Sequence, residues 1–187
     1  MTASELENLL SEKVSQWAQF QNLMAISGEL VKRRLRIEED FWTTAHPVER
    51  KLFAVFAIAF IVGDNGLDLL FQQFRGSTLA IIECAHDGFR EMGLDDHARA
   101  LEKVIGLIER ELKPVGHRFP ITFDPLARAE YLEAERALFD DTDFFRKIHP
   151  VLKEAESTFR GSAETLTGPI LRWIKQHRDA LFPLLCG

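Results

Sequence analysis

The sequence predicts an all-α fold, a single-domain bundle of about seven to nine helices. Three observations carry that expectation. Apolar residues recur three and four apart, as in Leu6, Leu9, Leu10, Val14, Trp17, Phe20 and Met24. Glycine, proline and small polar clusters punctuate these runs at helix-length intervals. Alternating runs bounded by turn signals are missing, and Ile121-Thr-Phe123 is too short to make a strand.

Composition narrows the class. A chain of 187 residues, 46% hydrophobic and 28% charged, is long enough for one domain with a real core. Fifteen Phe against one Tyr point to a core filled with rings that need no polar partner. A formal net charge of -6 argues against direct nucleic-acid binding and suits a basic protein partner. Cys84 and Cys186 cannot frame a disulfide network, so a reducing cytoplasm is expected. The acidic N-terminus is unlike a secretory leader. The longest apolar run, Leu52–Val62, has eleven residues, whereas a membrane span needs about 20. It reads as a buried helix, with no membrane partner.

Each element follows from its residues. Ser4 caps a first helix that carries the stripe from Leu6 to Met24, with Gly28 as an interruption. Pro47 suits the first turn of the next helix, Val48 to about Val62. Gly63-Asp64-Asn65-Gly66 stops that helix. Leu67–Phe74 is a short helix ending at Gly76. Ser77 or Thr78 caps one that runs through Met92 to Gly93. Asp95 and Asp96 open another, with Leu101, Val104, Ile105, Ile108 and Leu112 as its stripe. Pro114, Gly116, Pro120 and Pro125 mark one long loop, and Asp124-Pro125 starts a helix to about Leu138. Two or three helices follow, with breaks expected near Asp140–Asp143, His149-Pro150 and Gly161-Ser162. Gly168-Pro169 opens the last, which ends at Phe182-Pro183.

The stretch from Ile61 to Ser77 carries a further signal. Val62, Gly66, Phe71 and Gly76 match a pattern of Val-Asn-Asn-Gly-Gly-Phe-x-x-Phe-Phe with a later glycine. Leu67 and Leu70 stand where that pattern has Phe, and Gly63, Asp64 and Asn65 depart from it while keeping turn character. With the preceding helix Glu49–Val55 and the ending Leu171–Phe182, the chain resembles the bacterial DNA-mimic-protein-like family over about Pro47 to Phe182. Residues 1–46 are then a helical extension. The resemblance implies an all-helical fold. In the member that names the family it also implies an acidic dimer occupying the DNA-binding face of a transcription factor.

Mimicry requires carboxylates held on rigid elements, because proteins bind DNA phosphates with Lys and Arg. Glu83, Asp87 and Glu91 recur every fourth residue, about 6 Å apart along one helix face. Asp95 and Asp96 follow, and Glu130, Glu133, Asp140, Asp141 and Asp143 form a second acidic stretch. These residues are the candidate contacts for a basic DNA-binding protein. Ordinary solvated helix faces look the same. The one basic cluster, Lys32-Arg33-Arg34-Leu35-Arg36, reads as structural.

No catalytic residues, metal site or cofactor are expected. His and Cys lack ligand spacing, and phosphate-loop and nucleophile-elbow motifs are missing. Asp141-Thr-Asp143 reads as a helix cap ahead of Phe144. The expected function is non-enzymatic protein binding, with a homodimer through apolar faces left over on the N-terminal helix. The alternative is a small-ligand-binding helical protein with Gly63, Asp64, Asn65 and Gly66 at the pocket rim.

Overall fold

Thr2, not Ser4, starts the first helix. Its hydroxyl accepts the Glu5 N–H at 3.2 Å and the Glu5 carboxylate accepts the Thr2 N–H at 2.7 Å, a reciprocal cap on α1, Ala3–Leu9. The computed structural model describes residues 1–11, 14–36, 41–62, 66–73, 77–112, 125–160 and 163–186. The stripe that reads as one helix from Leu6 to Met24 is split, because α2 begins only at Gln16 and runs Gln16–Arg36. Asn22 of α2 stabilises the break. Its side-chain amide donates to the Leu9 carbonyl at 2.9 Å and satisfies a helix-end acceptor. Gly28 does not interrupt α2. A helical glycine costs about 1 kcal/mol, less than the burial of Leu23, Ile26 and Leu30 around it supplies.

After α3, Phe41–Thr44, comes α4, Pro47–Phe56. His46 caps α4 by accepting the Val48 N–H at 3.3 Å, and Pro47 fills the first turn as expected. The helix continues as a π-helical segment, Ala57–Val62. Leu52 through Ala59 are all buried, so the long apolar run does occupy the core. Nothing in the sequence marks its π geometry. Wider π turns change which side each later residue faces.

The remaining elements are α5 Asp68–Gln73, α6 Thr78–Glu91, α7 Asp95–Leu112, α8 Pro125–Asp140, α9 Thr142–Phe159, α10 Ala163–Gln176 and α11 Arg178–Leu185. Gly93 ends α6 with φ +72°, a conformation glycine adopts without strain. The expected Gly63–Asn65 stop, the Gly76 end, the 113–124 loop and the Ile121–Phe123 segment lie outside the described residues. Among those described, all regular structure is helical, and no helix is long and apolar enough to cross a membrane.

Two expected boundaries fail for the same physical reason. Pro150 lies inside α9, and Pro169 lies inside α10 rather than at its start. Buried Ile148 and Leu152 flank Pro150, and Leu166 and Ile170 flank Pro169. Burying each such side chain contributes about 1.5–3 kcal/mol, so packing offsets the one backbone bond that proline forfeits. The closing helix, expected as one that ends at Phe182-Pro183, is two, divided at His177, and the second, α11, takes Pro183 inside it and runs on to Leu185.

Helix α4 packs on α6, α6 on α7, α7 on α9, and α2 on both α4 and α10. One core runs from Leu6 in α1 to Leu185 in α11. The α4–α6 crossing is close because Gly88 has no side chain. A Cβ there would lie 2.6 Å from Val55 Cγ2. Gly88→Val is therefore expected to lower stability by about 1–3 kcal/mol through overpacking. Urea titration checks this, and adding Val55→Ala should recover part of the loss.

Candidate interaction surface

The motif segment is held from beneath by a buried carboxylate. Gly66 has φ +88°, and Leu67 donates its N–H to Glu156 Oε1 at 2.7 Å, just ahead of α5. Glu156 is 1% exposed. Lys153 Nζ reaches its two oxygens at 3.1 and 2.9 Å, and Arg160 Nη2 stands 3.8 Å away. Lys153 also lies 3.4 Å from Asp68, whose other oxygen is 3.6 Å from His149 Nδ1. The hydrogen bond to Glu156 and the Asp68 charge hold the Lys153 pKa above its usual value. The backbone of Gly66 approaches so closely that a Cβ there would sit 2.8 Å from Glu156 Oε1. On this side the turn is packed against a carboxylate. Gly63, Asp64 and Asn65 lie outside the described residues.

A second buried carboxylate does the same for α6. Ser77 makes no side-chain cap. Glu135 of α8 accepts the Leu79 N–H at 2.8 Å instead. Burial pushes its pKa up to about 7, against the opposing pull of the Leu79 and Thr78 backbone bonds and of Arg136. Tyr131, one turn earlier on α8, is buried too. Burial, then the charges of Glu135, Glu83 and Glu109, raise its pKa. Side chains from α6, α7 and α8 thus act on one another around Tyr131.

The predicted acids fall on four packed helices, α6 to α9. Glu83 is half-buried and faces that cluster, while the other nine are exposed. Asp87 stands 3.1 Å from His86 Nδ1, and His86 Nε2 is 3.3 Å from Glu102, which ties α6 to α7. Glu91 pairs with Lys51 of α4 and accepts the Trp173 indole N–H at 3.3 Å. Asp95 and Asp96 occupy the first turn of α7, where the helix dipole favours them, and Arg99 lies 2.9 Å from Asp96. Glu130 and Glu133 project from α8. Asp140 ends α8. Asp141 caps α9 by accepting the Asp143 and Phe144 N–H groups, as its sequence suggested, and Asp143 pairs with Arg146 at 3.0 Å.

The two acidic stretches do not merge into one spot. Lys103–Glu154 at 2.6 Å and Lys147–Glu111 at 3.7 Å make α7 and α9 antiparallel. Asp96 therefore lies beside the end of α9, roughly 20 Å by helical rise from Asp143 at its start. Between them α7 and α9 form a groove of about 390 Å³, lined by Asp96, Arg99, Lys103, Val151, Glu154 and Thr158. Its charges largely pair with one another.

The basic cluster is structural where described. Lys32 pairs with Glu29, Arg33 with buried Glu49, and Arg34 lies over the Phe53 ring. Burial pushes the Cys84 thiol up to about 12, so it stays protonated at neutral pH. No group of three metal-binding side chains occurs among the described residues. Sequence reasoning missed Glu49, Lys153 and Glu156. Lys153, Glu156 and Arg160 are spaced like an ordinary solvated charge row, so no local signal marked Glu156 as buried.

These features define an all-helical protein with carboxylates of two kinds, buried ones that anchor helix starts and exposed ones on α6–α8. The chain belongs to the DMP19-like protein family, whose model matches residues 43–177. Neither a curated protein nor a solved structure matches it.

Two outcomes are expected. A Cβ at Gly93 would meet no atom within 4 Å, so Gly93→Ala costs only the left-handed backbone, about 1–2 kcal/mol. Gly66→Ala adds the collision with Glu156 and should cost at least about 1 kcal/mol more, measured by thermal unfolding of both variants. Glu135 has a raised folded pKa, so its contribution is complete below about pH 4.5 and declines as pH rises to about 7. Stability should fall across that window by up to about 3 kcal/mol, and Glu135→Gln should remove this part of the slope in pH-dependent urea titrations.

Proposed function

We propose that this single helical domain is a non-enzymatic binding protein whose α6–α8 face presents carboxylates to a basic partner. In its sharper form the partner is a DNA-binding regulator, and the carboxylates take the place of DNA phosphates. The charge distribution carries this reading. Residues 77–112 hold eight acids against four Lys and Arg, and residues 125–143 hold six against two. Residues 144–187 reverse the balance, with seven Lys and Arg against four acids. Since α6 packs on α7, and α8 packs on both α7 and α9, the excess negative charge sits on neighbouring helices. Membership of the DMP19-like family supports the same reading. A cytoplasmic location goes with it, and so do the two free thiols.

The test is capture from extract of the cells that make the protein, at low and high salt, with duplex DNA as competitor. A basic DNA-binding protein should be retained at low salt, shed at high salt and displaced by DNA. Changing Asp95→Asn, Glu130→Gln and Glu133→Gln together should weaken capture without unfolding the chain. Clean recovery of the protein alone, or a partner indifferent to salt and DNA, would refute the proposal.

A further inference from the structure

Helices α7 and α9 leave an open groove of about 390 Å³ between them. Their antiparallel register, marked by the Lys103–Glu154 bridge, orders its lining in levels. Arg99 comes four residues before Lys103, and Thr158 four residues after Glu154. Arg99 and Thr158 therefore share one level, about 6 Å along the helices from the bridge. The floor between the two levels consists of small side chains, Ala100 and Ala155, with Val151 beyond the bridge. Ala155 is buried and Ala100 and Val151 are half-buried, so this floor is apolar and partly shielded from water.

We propose that the groove binds a small zwitterion with an apolar side chain, of the α-amino-acid class. The charge order argues for it. The rim carries two acids, Asp96 and Glu154, and two cations, Arg99 and Lys103. A purely anionic or purely cationic ligand would meet a group of its own sign, whereas a zwitterion meets a partner for each charge. Arg99 presents a planar fork that fits a carboxylate, and the Thr158 hydroxyl beside it can donate a further hydrogen bond. Glu154, one level along, accepts from an ammonium. In an α-amino acid the two charged groups are about 2.5 Å apart. With a hydrogen bond of about 2.8 Å at each end, the ligand spans the two levels. Its side chain then lies along Ala100, Ala155 and Val151, in a volume at the lower end of small-molecule pockets.

The ion pairs already present do not block this site. Asp96–Arg99 and Lys103–Glu154 join exposed side chains, and exposed pairs contribute little to stability. Glu154 has a second carboxylate oxygen and Arg99 has further N–H groups, so the ligand can be held without breaking either pair. A site this open, with two charge contacts and one apolar contact, binds in about the 0.1–1 mM range. It is separate from the Gly66 turn, and only Asp96 also belongs to the proposed carboxylate surface. Loss of one reading therefore leaves the other standing.

Amide-resolved NMR titration of the full chain with phenylalanine, up to about 10 mM to saturate that range, tests the proposal. Shifts at Ala100, Lys103, Ala155 and Thr158 should saturate together. Phenylpropanoate, which lacks the ammonium, and phenylethylamine, which lacks the carboxylate, should each bind about tenfold more weakly or worse. Arg99→Gln should weaken phenylalanine by a similar factor yet leave phenylethylamine unchanged. Glu154→Gln should weaken phenylalanine but not phenylpropanoate. Both changes lie on the surface, so circular dichroism should stay native. Ala100→Leu, which fills the groove, should abolish the shifts. Absence of saturating shifts at these four residues would overturn the proposal. Phenylpropanoate binding as tightly as phenylalanine would also overturn it, because the groove would then recognise an anion and not a zwitterion.

Discussion

Two buried carboxylates fasten the part of the chain that is least able to fasten itself. Glu156 accepts the Leu67 N–H before α5, and Glu135 accepts the Leu79 N–H in the first turn of α6. Helix starts leave backbone donors without intrahelical acceptors. Here the acceptors come from α9 and α8, far along the sequence. For Glu156, paired with Lys153, a charge-assisted bond of this kind contributes about 1.5–3 kcal/mol, whereas Glu135, whose pKa burial pushes up to about 7, holds its bond largely as a neutral acid below that pH. The arrangement is therefore cooperative. The starts of α5 and α6 are complete only with α8 and α9 docked against them.

The consequence reaches the surface. Glu135 lies on the same helix as exposed Glu130 and Glu133, and Glu156 on the helix that Asp141 caps. Anchoring α6 to α8 also fixes the spacing between the acids of α6 and those of α8. A carboxylate surface that imitates a rigid polyanion needs such fixed spacing. Flexible charged side chains on frayed helices would lose it to entropy on binding. On the proposed reading, the buried acids position the exposed ones.

Much of the fold was legible because its signals are local. The α7 stripe emerged with Leu101, Val104, Ile108 and Leu112 buried, and Pro47, Gly93 and Asp141 begin or end helices as their chemistry suggests. What sequence could not show depends on residues distant in the chain. Pro150 reads as a break until the burial of Ile148 and Leu152 is known. The gap between α1 and α2 depends on an amide reaching back thirteen residues. Glu135 and Glu156 have spacing no different from solvated acids, and only their helices' docking buries them. The exposed acids were legible as residues, but not as two stretches separated along α7 and α9.

Amide hydrogen exchange at Leu67 and Leu79 tests the central claim most directly. Both amides should be strongly protected in the native protein. Glu156→Ala should selectively speed exchange at Leu67, and Glu135→Ala at Leu79, while α7 amides such as Val104 stay protected. Fast exchange at both sites in the native protein, or protection that survives loss of the carboxylates, would contradict the account.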